Sequence, residues 1–569
     1  MRERSCLSTV TPYKVPSVTR GDKIRMDSNE SALRCSPRVI QALHTLTSEQ
    51  ISCYPETLTL VEDIARHSGV EPENILLTNG ADDAIRAIMD TFCNPGDQII
   101  LPVPTFSMFE LLARMREASI KKITYKEDFS FPVEGVCTAL TEEPALIIIV
   151  SPNNPTGTSI EADQLHTILE SAPNSLIVLD ETYHHFGGTS YVDCISDHDN
   201  LIVLQSFSKA YGLAGIRLGV IFSSSPVISS IRKVMLPYPV SVPAVVAGRA
   251  ALGDQSFLTS AVDTILTEKR FLASQLEKLN VRVRRTDTNF LLVYLGDGAQ
   301  DIAQKLETFN ILIKLLTDYE SLSPYARITV RTRSENISFI NALKSILPPE
   351  ALLFDMDGVL VDVSESYIRT IQETAEHFLT EPVTLEEIQQ YKEKGGYNND
   401  WNLTEALITS RGVHVEKTAI ITQFQDIYRG IRWDGRIHHE QWLLDEDIIQ
   451  ALRKTLPLGI VTGRPRDEAL YTLERFGMKD CFEVLIALED VRGQQKPHPC
   501  GIQKALNTLQ VKRAVYVGDT IDDIRAACAA EVLPIGIVSP DDASRAESFS
   551  RAGAVHLIPT VNTIMEVLQ

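Results

Sequence analysis

Residues 205–217 read QSFSKAYGLAGIR, and this stretch decides how the first half of the chain is read. One lysine, Lys209, stands among small hydroxyl residues, with Arg217 eight positions on. A lysine that condenses with an aldehyde needs such surroundings. Its amine holds the aldehyde, while Ser206, Ser208 and the Arg217 guanidinium can hold a phosphate dianion. An SxSK tetrapeptide alone is most often a solvated loop. Its weight here comes from what lies upstream.

Three upstream segments supply further contacts. Leu176–Tyr183, LIVLDETY, is an apolar run that ends in Asp180 and Tyr183. Asp180 can pair with a pyridinium nitrogen and keep it protonated, and Tyr183 can hydrogen-bond a ring phenolic oxygen. Ile147–Gly157, IIIVSPNNPTG, runs from a buried strand into a turn, where Asn154 would share that oxygen. In Leu76–Asp83, LLTNGADD, a strand meets a glycine and a helix start. The amides of Ala81 and Asp82 can cap a phosphate there. Phe106, in PTFSMF, is placed to stack on a ring face. Pyridoxal phosphate is the cofactor that carries the aldehyde, the phosphate, the ring nitrogen and the phenolic oxygen together.

Further landmarks follow in order: DSNES (27–31), CYPE (53–56), NGADD (79–83), SPNNPTG (151–157), DETY (180–183), SFSKA (206–210), GIRLG (215–219), PYPVS (237–241), TNF (288–290) and ARITV (326–330). Residues 5–347 thereby resemble the fold-type-I aminotransferases of class I and II, most closely the histidinol-phosphate aminotransferases. The resemblance implies that Asn29 lies near the substrate and that Arg327 binds a substrate carboxylate or phosphate. It also implies that Tyr54 reaches the cofactor phosphate of a partner subunit, hence a homodimer. The chain departs from the family at four places. Ser31 replaces a proline, Phe106 a frequent tyrosine, and Arg331 a glycine. Lys314 stands where an arginine helps to bind the substrate phosphate, and it keeps the charge but loses the bidentate fork.

After Leu347 the pattern restarts. Ala351–Asp362, ALLFDMDGVLVD, is an apolar strand that ends in two carboxylates spaced i, i+2. Asp355 can attack phosphorus; Asp357 can protonate the leaving oxygen and then activate water. Such crowded charge calls for a cation, normally Mg²⁺, held by Asp355, Asp357 and Asp519. Thr462, at the end of LGIVTGR, can hold phosphoryl oxygens, and Lys496, in GQQKPHP, can neutralise the phosphate and orient Asp355. Asp519 opens the GDTIDD run, with Asp522 and Asp523 one turn further on. In this order the four pieces resemble the haloacid dehalogenase superfamily of phosphatases. Within that resemblance the helical stretch after Asp357 is a cap over the site, and Gly395–Trp401, GGYNNDW, is either a selectivity loop or a helix connection.

The expected fold class is α/β: a fold-type-I pyridoxal-phosphate transferase with large and small domains, then a Rossmann-like hydrolase core with a helical cap. The expected boundaries are 1–348 (large domain about 40–245, small domain the N-terminal arm plus about 246–348) and 351–569 (cap about 366–445). At 569 residues the length suits about four such domains. Only Pro348–Glu350 separate the expected helix Ile337–Leu347 from the next strand, too short for a flexible tether. A net charge of −21 argues against nucleic-acid and anionic-membrane partners. No run is apolar enough for a signal peptide or a membrane span, and nine cysteines lack CxxC spacing. Both observations suit a cytoplasmic protein. The expected ligands are an amino donor, a keto acceptor and a phosphate monoester. The favoured function is transamination that makes histidinol phosphate, followed by its hydrolysis. The rivals are an aminotransferase for another amino acid or phosphorylated ketone beside an unrelated phosphatase, and a hydrolase that acts on pyridoxal phosphate or a damaged metabolite.

Overall fold

The structure is a computed structural model that describes residues 4, 6–7, 20–393 and 399–568. The chain divides into two compact units, Met1–Ile346 and Leu347–Gln569. In the first, strand β1 (Ile24–Met26) precedes β2 (Ile75–Thr78), β3 (Gln98–Val103), β4 (Ser119–Thr124), β5 (Leu146–Val150), β6 (Leu176–Asp180), β7 (Leu201–Ser206) and β8 (Gly219–Ser223). Strands β2 to β8 form one sheet of order β2-β8-β7-β6-β5-β3-β4. Its centre is parallel, and β8 runs antiparallel to both neighbours.

The sequence explains the centre. Every residue of β5, LIIIV, is buried, as a strand covered on both faces requires. Parallel strands bring their carboxyl ends to one edge of the sheet. Val150 is opposite Asp180, and Asp180 is opposite Leu204. The SPNNPTG turn, the DETY turn and the SFSK loop are therefore neighbours. Strands β9 (Val283–Arg284), β10 (Phe290–Tyr294), β11 (Ile311–Leu315) and β12 (Tyr325–Thr329) join β1 in a second sheet of order β1-β11-β12-β10-β9. The unit closes with helix Arg333–Ile346, which starts four residues before the expected Ile337.

In the second unit β13 (Ala351–Phe354) is followed by β14 (Val361–Asp362), β15 (Gln441–Trp442), β16 (Leu458–Val461), β17 (Val484–Ile486), β18 (Ala514–Gly518), β19 (Leu533–Ile537) and β20 (His556–Ile558). The parallel sheet has the order β17-β16-β13-β18-β19-β20. β13 lies between β16 and β18, so the residues after these strands, Asp355, Thr462 and Asp519, meet at one edge. β14 and β15 pair antiparallel. Between them run helices Arg369–Leu379, Leu385–Glu393, Asp400–Ser410 and Lys417–Tyr428. Of the Gly395–Trp401 segment, residues 395–398 lie outside the described residues; Asn399 caps the helix at Asp400 by accepting from the Asn402 amide. Among the described residues, no helix is long and apolar enough to cross a membrane.

One polar cluster fixes the end of β6. The Glu181 carboxylate is fully buried and accepts hydrogen bonds from Ser190 Oγ (2.7 Å), the Tyr191 amide (2.6 Å) and Gln205 Nε2 (3.0 Å). Burial outweighs these donors and pushes its pKa up to about 7, from 4.5. Between those values the folded chain holds a proton that the unfolded chain has lost, so stability falls as pH rises through that window. Glu181→Gln is neutral at every pH. Its melting temperature is expected to fall less than the wild type's between about pH 5 and about pH 7.5. Equal slopes in the two proteins would show that Glu181 titrates normally.

Candidate functional sites

In the first unit the site gathers at the carboxyl edge of the parallel strands, where ligands of α/β sheets bind. Lys209 Nζ donates to the Ser28 carbonyl at 3.2 Å and lies 5.8 Å from the centre of the Tyr183 ring. The Tyr183 hydroxyl accepts from Asn29 Nδ2 at 2.8 Å. Asn29 is buried at φ +55° and is held by Thr329, whose hydroxyl donates to Asn29 Oδ1 at 3.0 Å. Arg327 donates to Asn154 Oδ1 at 2.6 Å and to the Asp27 carbonyl at 2.5 Å. The structure thus joins Lys209, Tyr183, Asn29, Asn154 and Arg327 in one constellation. Asp180, at the end of β6, is buried and accepts from the Thr182 amide at 2.9 Å. Burial raises its pKa, and nearby Lys209 opposes the shift.

The helix Gly80–Phe92 begins at this edge without a side-chain cap. Arg217, at φ +58°, lies across its first turn and donates to Asp82 Oδ2 at 2.9 Å. A Cβ on Gly80 would stand 2.4 Å from the Arg217 guanidinium. A Cβ on Gly219 would stand 2.9 Å from the Ala81 amide nitrogen. Gly80, at φ +77°, leaves room for the guanidinium and Gly219 for the Gly80–Ala81 backbone, and the result is a cradle of amides, buried Ser206 and Ser208, and a guanidinium. Phe106 is partly buried at the start of helix Ser107–Met115. The PTF turn that carries it is tied to the SPNNPTG turn, because Thr105 Oγ1 donates to Asn153 Oδ1 at 2.7 Å. Pyridoxal phosphate fits this donor set: a lysine amine, a buried carboxyl, a phenol paired with an amide, and an uncapped helix end.

Lys314 on β11 is the register partner of Arg327 on β12, so their side chains leave the same face of the sheet. Lys314 Nζ sits 3.3 Å from Asp318. Arg327 Nε is buried without a hydrogen-bond partner. Tyr54 is 74% exposed and stacks on Tyr238, ring centres 4.0 Å apart, so within one chain it faces outward.

In the second unit Lys496 Nζ lies 2.8 Å from Asp355 Oδ1 and 2.6 Å from Asp523 Oδ1, and it donates to the Tyr516 hydroxyl at 2.9 Å. Asp355, Asp519 and Asp523 bring carboxylate oxygens within 4.8 Å of one another. Burial and the neighbouring carboxylates hold Asp355 well above the usual range and Asp519 at about 7. A divalent cation would relieve that crowding, so this donor set fits Mg²⁺. Asp357 was expected as a metal ligand beside Asp355 and Asp519. Its carboxylate pairs with Arg464, at 2.6 Å from Nε, and it lines the same cavity as Asp355 and Asp519. Among the described residues the third carboxylate of the close cluster is Asp523, which also pairs with Lys496 and Thr520. Thr462, buried at the end of β16, accepts from the Arg464 amide at 3.2 Å.

A cavity of about 400 Å³ opens on Asp355 and Asp519 of this cluster. The core lines it with Asp355, Asp357, Asp519, Lys496 and Arg545; the helical insertion adds Lys392 and Asp400, which pair at 3.6 Å. Sequence reasoning passed over Arg464, Lys392 and Arg545. Arg464 stood in plain view beside Thr462. The other two had no motif around them, because chain folding alone brings them there.

Residues 21–343 match the family described as aminotransferase class I and II, and residues 352–537 match the haloacid dehalogenase-like hydrolases. The histidinol-phosphate aminotransferase of Clostridium novyi is 33% identical over 327 residues, 57% of this chain and 91% of that protein. The crystal structure of histidinol-phosphate aminotransferase from Sinorhizobium meliloti in complex with pyridoxal-5'-phosphate shares the fold. Its TM-score is 0.56 at 22% identity, over 61% of this chain and 98% of that one. L-threonine-O-3-phosphate decarboxylase from Porphyromonas gingivalis follows with a TM-score of 0.51 at 25% identity, over 57% of this chain and 98% of that one. The chain belongs to the class I and II aminotransferases and carries a haloacid dehalogenase-like hydrolase domain behind that part.

Gly358, at φ +70°, lets Asp519 close on the loop after β13, since a Cβ there would lie 2.2 Å from Asp519 Oδ2. Gly358→Ala is expected to displace Asp519 and to weaken Mg²⁺ binding about tenfold or more, read by calorimetric titration; one lost ligand of about 1.4 kcal/mol suffices for that factor. Unchanged affinity would remove Asp519 from the cation site.

Proposed function

From a member of the class I and II aminotransferases that also carries a hydrolase domain, we infer a bifunctional enzyme that acts twice on one small molecule. The first unit moves an amino group from glutamate to imidazole-acetol phosphate and releases histidinol phosphate and 2-oxoglutarate. The second unit hydrolyses the phosphate ester. The register pair Lys314–Arg327 carries this reading. Two cations on one sheet face, beside the Lys209 constellation, suit a pocket that must take a phosphorylated ketone and glutamate in turn. The names of the relatives support the same substrate. Lys314 in place of arginine favours the second reading, a different phosphorylated acceptor.

When bound, pyridoxal phosphate supplies the electron sink for charge at the substrate's α-carbon. Lys209 Nζ moves the proton at that carbon. Asp180 would keep the ring nitrogen protonated, while Tyr183 and Asn154 would hold the phenolic oxygen. Arg217, Ser206, Ser208 and the Ala81 and Asp82 amides would hold the phosphate, and Phe106 would contact the ring. Asn29 orients Tyr183 beside the substrate. Lys314 and Arg327 bind the substrate's anionic ends, each charge-assisted contact worth about 1.5–3 kcal/mol.

In the second unit Asp355 attacks phosphorus and the ester P–O bond breaks. Asp357 gives its proton to the leaving oxygen. It then takes a proton from water, whose oxygen attacks the same phosphorus and frees Asp355 and inorganic phosphate. Lys496 and Thr462 hold the phosphoryl oxygens. Asp355, Asp519 and Asp523 would hold Mg²⁺, which when bound would supply positive charge at the phosphate.

Full-length protein given glutamate and imidazole-acetol phosphate is expected to release inorganic phosphate. Asp355→Asn should stop that release and let histidinol phosphate accumulate, with transamination unchanged. Lys209→Ala should abolish both products, the visible absorbance, and the borohydride-fixed cofactor at position 209. Phosphate release from Asp355→Asn at the wild-type rate would end the proposed mechanism. Transamination without use of the phosphorylated imidazole would favour the second reading.

The exposed Tyr54–Tyr238 stack suits a homodimer in which Tyr54 reaches the partner's cofactor phosphate. Mixing inactive Lys209→Ala protein with Tyr54→Phe protein should restore transamination in one of the two mixed sites. An active monomer in sedimentation would refute the shared site.

A further inference from the structure

We propose that Arg464 is a positioning residue that holds Asp357 for proton transfer and ties it to the two chain crossings between hydrolase core and cap. The inference rests on the phosphatase reading above. Arg464 is only 1% exposed, yet it carries a permanent charge. Its Nε donates to Asp357 Oδ1 at 2.6 Å, and its Nη2 approaches the same oxygen at 2.5 Å. Both contacts use Oδ1, which leaves Oδ2 to exchange a proton with a leaving oxygen or a water.

The other side of the guanidinium faces Glu440, whose side chain is wholly buried. Nη1 donates to Glu440 Oε2 at 3.2 Å and to Thr472 Oγ1 at 3.1 Å, and Nη2 lies 3.0 Å from Glu440 Oε1. Glu440 immediately precedes β15, the strand by which the chain returns from the cap. It also accepts from Tyr428 Oη at 2.8 Å, at the end of the last cap helix, and from Ser366 Oγ at 3.3 Å, just after the outgoing strand β14. The Arg464 guanidinium stands 5.0 Å from the Tyr367 ring centre on that outgoing side. One buried cation therefore touches the carboxylate that transfers the proton and both crossings into the cap.

A buried ion pair of this kind contributes little stability over an apolar replacement, so its retention calls for another use. Positioning supplies one. A carboxylate on a loop rotates freely, whereas a fork that is fixed on its far side by Glu440 and Thr472 holds it in one orientation. Any hinge movement at β14 and β15 displaces Glu440 and is felt at Asp357.

The test separates the two proton transfers. p-Nitrophenolate leaves without a proton, so phosphorylation of Asp355 by p-nitrophenyl phosphate does not need Asp357. The hydrolysis that follows does. In Arg464→Lys and in the double variant Arg464→Gln/Glu440→Gln, which removes the buried Arg464–Glu440 pair together and frees Asp357, kcat is expected to fall about a hundredfold. KM should fall with it, so that kcat/KM stays within about threefold, and a stoichiometric burst of p-nitrophenol should precede the slow steady state. On histidinol phosphate, where the leaving oxygen needs a proton, kcat/KM should fall as well. A damaged fold would instead lower kcat/KM on both esters without a burst. That result, or wild-type kinetics in the variants, overturns the inference. Wild-type protein that hydrolyses neither ester ends the phosphatase reading itself, and the inference with it.

Discussion

On the proposed function each site holds a phosphate dianion inside a chain of net charge −21, and that constraint shapes both. Long-range attraction works against the ligand, so the cations must be local and fixed in advance. Carboxylates do the fixing. Asp82 holds Arg217 over the helix end in the first unit. Asp355 and Asp523 hold Lys496 in the second. Each cation loses part of its charge to its anchor. What it gains is an orientation set before the ligand arrives, which lowers the cost of binding.

The parallel sheets supply the placement. Candidate catalytic groups that lie far apart in the sequence sit at strand ends, and a parallel sheet collects those ends on one edge. That is why so much of both sites was legible before any coordinates. LIVLDETY and IIIVSPNNPTG each pair a buried strand with a polar stop, and in the fold Val150 stands opposite Asp180. ALLFDMD, LGIVTGR and AVYVGD do the same around β13. An apolar run announces the strand, and the first polar residues after it announce the edge.

What stayed hidden follows from the same logic. Motif spacing says which strand end carries a carboxylate; it does not say where the side chain turns. Asp357 pairs with Arg464, and Asp523, one helical turn past Asp519, comes back to Lys496. Thr520 draws Asp523 into that position by donating from Oγ1 at 2.6 Å and from its amide at 3.0 Å, the capping arrangement of the helix Ile521–Ala529. A helix cap and the close carboxylate cluster thus share one side chain. Lys392 and Asp400 come from helices of the insertion with no local signal that they line a cavity.

The buried polar groups of the hydrolase unit form a second, drier network beyond the cavity. Glu468 is wholly buried, accepts from Tyr367 Oη and from Gln425 Nε2 at 2.9 Å, and is pushed by burial up to about 7. Tyr367 stacks on Tyr428 with ring centres 4.1 Å apart, and Tyr428 donates to Glu440. An apolar core packs well in several closely related ways, whereas a chain of buried donors and acceptors is satisfied in few. Such a chain, laid across β14 and β15 where the helical insertion leaves and rejoins the core, restricts how that insertion packs beside the carboxylates. The energy spent on desolvating Arg464, Glu440 and Glu468 is therefore better understood as a constraint on geometry than as a gain in stability.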